Sequence, residues 1–103
     1  MADDRTLGVL NVIDRLRQAR SEHGEALSVE EHADWEGVIA RLEEATVSFE
    51  TGRTGTAKRL VATSEAELRG QFGRRDGWGN DALRVAALDA ARRLDREVFG
   101  ARG

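Results

Sequence analysis

The residues best equipped for chemistry gather in one stretch, Gly70-Gln71-Phe72-Gly73-Arg74-Arg75-Asp76-Gly77-Trp78-Gly79-Asn80-Asp81. It holds four of the chain's eleven glycines, two adjacent arginines and a tryptophan, just ahead of an expected helix start at Asn80. Backbone N–H groups at the positive end of a helix dipole, joined by the Arg74 and Arg75 guanidinium groups, would cradle an anion or a phosphate-bearing partner. Trp78 would offer that partner a flat apolar surface, and Asn80 a polar contact beside its role as a helix cap. Two carboxylates, Asp76 and Asp81, would repel an anion at the same place. The stretch also reads as a plain connector, with glycines supplying left-handed turns and Trp78 covering one end of the fold. The connector reading is favoured, because no catalytic or metal-binding set accompanies the loop.

Other constellations fail on chemical grounds. Gly77-Trp78-Gly79-Asn80-Asp81-Ala82 has the letters of a dinucleotide-binding turn but no buried strand ahead of it. Gly52-Arg53-Thr54-Gly55-Thr56-Ala57-Lys58 lacks a lysine directly after its second glycine, so it cannot serve as a phosphate-binding loop. Di-metal sites in helical bundles use glutamate three residues before histidine. Here Arg20 precedes His23 and Val29 precedes His32, so no metal site and no cofactor is expected. Two histidines and no cysteine leave no basis for a nucleophilic triad, and no catalytic residue is assigned. The pairs Glu22/Glu25 and Glu31/Asp34 resemble the paired carboxylates of all-α nucleotide pyrophosphatases. That resemblance would imply a nucleotide-processing enzyme, but the pairs lie too close in sequence to occupy two long facing helices.

Trp35-Glu36-Gly37 is similar to the W-x-G tripeptide of the small secreted two-helix WXG-type proteins, which place it in a turn between helices. Here the tripeptide falls inside a strongly periodic segment. Histidine-phosphotransfer bundles share this chain's size, but carry Lys-Gly after the histidine, where His32-Ala33-Asp34 stands here. Neither resemblance is adopted.

The elements that must position these residues are all helical. Val9, Val12, Ile13, Leu16 and Ala19 share one face of a first helix over residues 4–21, ended by His23-Gly24. Leu7 and Leu10 fall off that stripe. Ser28 with Glu31 forms a capping box, opening a second helix over 29–50. Trp35, Val38, Ile39, Leu42, Ala45 and Phe49 line one arc of it, and Gly52 ends it. A third helix is expected over 54–72, with a break near Thr63 weighed because Ser64 and Glu67 also spell a capping box. A fourth is expected over 80–99, with Gly100 beyond. Its Leu83, Ala86, Ala87, Ala90, Ala91, Leu94 and Val98 make a small-residue face for close packing, whereas Val85, Leu88 and Phe99 lie on the opposite side. A helix with two apolar faces is contacted from two sides, and these three residues are the candidates for self-association.

The expected architecture is therefore one all-α domain over residues 1–103, an up-down four-helix bundle or a pair of antiparallel hairpins. Fifteen of its apolar residues are alanines, a modest core that favours close helix contacts or shared burial in a homo-oligomer. Residues 1–51 hold five arginines against twelve carboxylates, net −7; residues 52–103 hold eleven cations against seven carboxylates, net +4. The acidic and basic hairpins are expected to steer one another together. An overall charge of −3 argues against nucleic-acid binding. With no cysteine, no membrane-length apolar run and arginine exceeding lysine fifteen to one, a cytoplasmic bacterial protein is expected. Composition and patterning point to a non-enzymatic interaction module such as an adaptor, small chaperone or assembly subunit. A regulatory protein recognising an anion through the 70–81 loop is the alternative.

Overall fold

The computed structural model describes residues 4–73 and 81–100, with Ala26 as backbone alone. Among them are four α-helices and no strand: α1 (Asp4–His23), α2 (Val29–Glu50), α3 (Thr54–Glu67) and α4 (Ala82–Phe99). A 3₁₀ turn, Gly24–Ala26, joins α1 to α2, and a π-helical turn, Leu68–Phe72, extends α3. None of these helices is long and apolar enough to cross a membrane.

Local chemistry sets the ends. The Ser28 hydroxyl accepts from the Glu31 N–H at 3.1 Å, and the Glu31 carboxylate accepts from the Ser28 N–H at 2.8 Å, so the capping box forms as expected. At the other end of α2, the Arg53 N–H donates to the Ser48 carbonyl at 2.7 Å and the Gly52 N–H to the Phe49 carbonyl at 3.3 Å. That pairing of the last carbonyls requires a left-handed residue, which Gly52 supplies at φ +80°. Gly100, at φ +60°, stops α4 in the same region of backbone space.

The third segment runs from Thr54 to Phe72 as expected, with its last turn at π rather than α spacing. No break occurs at Thr63, because the Ser64 hydroxyl is fully buried and donates back to the Leu60 carbonyl at 2.9 Å instead of capping a new helix. The change comes later, where the Gly73 N–H reaches the Leu68 carbonyl, one residue beyond the α-helical spacing, at 2.8 Å. A Cβ on Gly73 would stand 2.5 Å from Leu88 Cδ2 and 2.8 Å from the Arg69 carbonyl oxygen, so this wider turn closes only around a glycine.

Each helix runs antiparallel to the next. Arg5 lies over the Phe49 ring and Arg17 pairs with Glu43, which opposes α1 to α2. Arg41 pairs with Glu67 at 3.2 Å, opposing α2 to α3. Gly8 lies against Glu97, opposing α1 to α4. With α3 also packed on α4, the four helices close into an up-down bundle in which each touches two neighbours. The expected stripes all turn inward to one continuous core. Its largest member is Trp35, 1% exposed, inside α2 rather than in a turn. The indole N–H donates to the Leu16 carbonyl of α1 at 3.0 Å, and the ring meets Phe72 edge-on at 4.9 Å. One side chain thus ties α1, α2 and the π turn together.

Among the described residues, most close ion pairs form within a half of the chain rather than between halves. Arg17–Glu43 and Arg20–Glu36 both lie within the acidic half, and Arg69–Glu65 and Arg93–Asp89 within the basic half. Among the described residues, the ion pair that crosses between the halves is Arg41–Glu67, with its signs reversed: cation from the acidic half, carboxylate from the basic half. Burial of the stripes docks the hairpins, at roughly 25 cal/mol for each Å² of apolar surface removed from water.

Candidate functional site

A groove of about 580 Å³ runs outside the contact between the C-terminal half of α1 and the N-terminal half of α4. Its origin is in the sequence. At one end Gly8 lets α4 approach closely, since a Cβ there would stand 2.8 Å from Glu97 Cβ. Further along, Ala19 of α1 and Ala82 and Ala86 of α4 line the groove, and their methyl side chains leave space between two helices that larger residues would fill. Val85, 56% exposed, and half-buried Leu88 add an apolar edge.

Charge lines the rim. α1 contributes Arg15 and Glu22, and α4 contributes Asp89 and Arg92. Asp89 is occupied by Arg93 at 2.8 Å. Arg15, Glu22 and Arg92 are exposed and make no ion pair with any described residue, so their charges are available at the rim. His23 closes the far end. Such a floor of alanines beneath balanced charges suits an apolar side chain presented by a polypeptide with charges of both signs. Among the described residues no group of three or more His, Cys, Asp or Glu is placed to hold a metal ion.

The sequence candidates fall in different places. Arg74, Arg75, Trp78 and Asn80 lie outside the described residues, as does Asn80 as a cap for α4; the carbonyl that accepts the first described bond of that helix belongs to Asp81. Val85 and Leu88 border the groove, though Leu88 is not free on an outer face: its Cδ2 occupies the space beside Gly73. Phe99, 41% exposed, shares their helix but stands about 21 Å from Val85 along the axis at 1.5 Å per residue. The three make one line but not one patch. Glu31 serves the capping box, and Asp34 accepts a hydrogen bond from the Gln71 side chain. His32 packs beside Gly24, where a Cβ would stand 3.0 Å from its Cε1.

One further acidic group is set apart by its surroundings. Burial raises the Glu65 carboxyl above the ordinary glutamate range; the neighbouring Asp95 carboxylate adds to the rise, and Arg69 opposes it. It sits on the α3–α4 side of the bundle, away from the groove.

The α1 half of the groove was not singled out in the sequence. Its signal is there in outline: Arg15, Ala19 and Glu22 follow one another at spacings of four and three along one flank of α1, beside the core stripe. What the sequence lacked was the identity of the neighbour, because α1 could have met either α3 or α4 across the core. Compared with protein-family models, curated proteins and solved structures, the chain matches none.

Proposed function

We propose that this chain is a small non-enzymatic protein-interaction module that associates with itself through the outer flank of α4 and the groove beside it. The observation that carries the reading is Val85: a branched apolar side chain, more than half exposed, at the edge of an alanine-floored groove whose rim charges Arg15, Glu22 and Arg92 have no partner among the described residues. Burying Val85 against a second surface removes apolar area from water, and the rim charges add orientation. Its composition, without cysteine and rich in arginine over lysine, supports action in a bacterial cytoplasm as an adaptor, small chaperone or assembly subunit.

Light scattering on a sizing column at several hundred micromolar tests the reading. The expected mass is twice that of one chain, and Val85→Asp is expected to return it to one chain with an unchanged helical circular-dichroism spectrum. A wild-type chain that elutes as a monomer at that concentration overturns it.

A further inference from the structure

We infer that the groove is one half of an isologous interface, and that its occupant is the same groove of a second copy, turned about a two-fold axis running across α1 and α4. This rests on the self-association reading above and adds to it the symmetry and the register.

The register follows from the packing of α1 on α4. Gly8 lies against Glu97 and the two helices run antiparallel, so eleven residues onward along α1, and eleven back along α4, Ala19 comes level with Ala86. Both line the groove. A two-fold axis perpendicular to the helices at this height exchanges residues equally far on either side of it. On α1 it passes between Gln18 and Ala19, and therefore exchanges Arg15 with Glu22. On α4, at the same height, it passes between Ala86 and Ala87, and exchanges Val85 with Leu88.

One axis thus sets Arg15 against the partner's Glu22, Glu22 against the partner's Arg15, and Val85 against the partner's Leu88, each contact occurring twice. Opposite charge meets opposite charge and apolar meets apolar on both helices at once. Neither Arg15 nor Glu22 forms an ion pair with another described residue. The two stand two helical turns apart, about 10 Å, too far to pair with each other along α1. The alanines at the centre allow close approach, as in tightly packed helix interfaces. A two-fold axis along the bundle instead would bring α4 over the partner's α1. On the same register Val85 would then stand level with Arg20, which pairs with Glu36, and beside it Ala19 offers one methyl group where Leu88 offers a whole branched side chain. The perpendicular axis is the arrangement the residues fit.

The register predicts how charge reversals on this flank combine. Arg15→Glu places two carboxylates on each copy's α1 flank, and Glu22→Arg places two cations there. Each variant alone should dimerise at least about tenfold more weakly than wild type at low salt, because both symmetric pairs become like-charged. Mixed in equal amounts, the two variants should form a heterodimer at least about tenfold tighter than either homodimer, since every contact is again of opposite sign. Both residues border open solvent, and helical circular dichroism checks that each variant folds. Sedimentation equilibrium of the separate and mixed variants reads the outcome. A mixture that associates no more tightly than its components overturns the register. If Val85→Asp still dissociates the wild-type dimer in that case, the self-association reading survives while this symmetry falls; a monomeric wild type overturns both.

Discussion

Two glycines in helix interiors, given the same substitution, should respond with opposite signs. Gly8 lies in α1 and Gly37 in α2, and alanine in place of a helical glycine is worth about 0.5–1 kcal/mol from backbone entropy alone. At Gly37 a new Cβ meets nothing within 4 Å, so Gly37→Ala should stabilise by that whole amount. At Gly8 the new Cβ would stand 2.8 Å from Glu97 Cβ and 2.9 Å from Glu97 Cγ. Ordinary carbon contacts need about 3.5–4.0 Å, so α1 and α4 must separate by close to 1 Å at this point. Overpacking of that kind costs about 1–3 kcal/mol, which outweighs the helical gain, and Gly8→Ala should destabilise by roughly 1 kcal/mol net. In a domain of this size 1 kcal/mol moves the melting temperature by about 4–8 °C, so the two variants should melt about 10 °C apart. Urea and thermal unfolding followed by circular dichroism, at one fixed protein concentration, measure both. Equal shifts of the same sign would refute the close approach at Gly8. A destabilised Gly37→Ala would instead show that the outer face of α2 is covered in solution. The second variant also separates Trp35-Glu36-Gly37 from a turn motif, because a turn glycine would not accept alanine at a gain.

Trp35→Phe keeps a ring against Phe72 but deletes the buried donor to the Leu16 carbonyl; denaturant titration should show a loss of about 1–2 kcal/mol, and Trp35→Ala a loss of about 3–5 kcal/mol. If Trp35→Phe melts like wild type, the indole hydrogen bond does not join α1 to α2. Glu65 gives a pH-dependent test: its raised pKa means the folded state holds the proton more tightly than the unfolded chain, so its stabilisation is present below the ordinary glutamate value and lost as pH rises through the raised one. Asp95→Asn removes one cause of the rise, and should both flatten that loss between about pH 4 and pH 7 and raise stability at pH 7 by a few tenths to about 1 kcal/mol. Urea midpoints across that range, compared with wild type, decide it; an unchanged slope would mean that Asp95 does not act on Glu65.

What could be read from the sequence was whatever depends on near neighbours along the chain. Ser28 and Glu31 find each other three residues apart, and Gly52 and Gly100 stop their helices by their own backbone freedom, so these ends fell where expected. The stripes were legible because an inward face repeats every helical turn, whatever lies across from it. The π turn was not, since Leu68 and Phe72 keep their inward phase whether the chain coils with an α or a π spacing. The wide turn closes where Gly73 meets Leu88, a residue of another helix that no local pattern around the turn names. The motif at Ser64 left two outcomes open, because a serine hydroxyl bonds equally well to a free N–H ahead of it or to the carbonyl four residues behind; the stripe's unbroken phase favoured one helix, and the buried hydroxyl bonds to Leu60 accordingly. Val85 and Leu88 were visible as apolar residues on the wrong face of α4. The groove they border needed Ala19, Arg15 and Glu22 from another helix, and no local pattern carries that pairing.

The charge division between the two halves of the chain takes on a different sense once the ion pairs are placed. Had it served to dock one hairpin on the other, cations of α3 and α4 would face carboxylates of α1 and α2. Instead arginines of α1 satisfy the carboxylates Glu36 and Glu43 inside the acidic half, while Arg69, Arg84 and Arg93 each take a carboxylate three or four residues away on their own segment. Such exposed pairs each contribute about 0–1 kcal/mol, too little to choose a topology against the burial of Trp35, Leu42, Leu68 and Leu94. The bundle is therefore closed by its apolar stripes, and the pairs that do form neutralise charges locally. Those left over are set by position rather than by half: Arg15 and Glu22 pair with no described residue, and the Asp89 carboxylate of α4 on the same rim is taken by Arg93 of its own helix. An unmatched cation and an unmatched carboxylate two turns apart on one exposed flank cannot satisfy each other, but each fits its opposite on an inverted copy of the same flank.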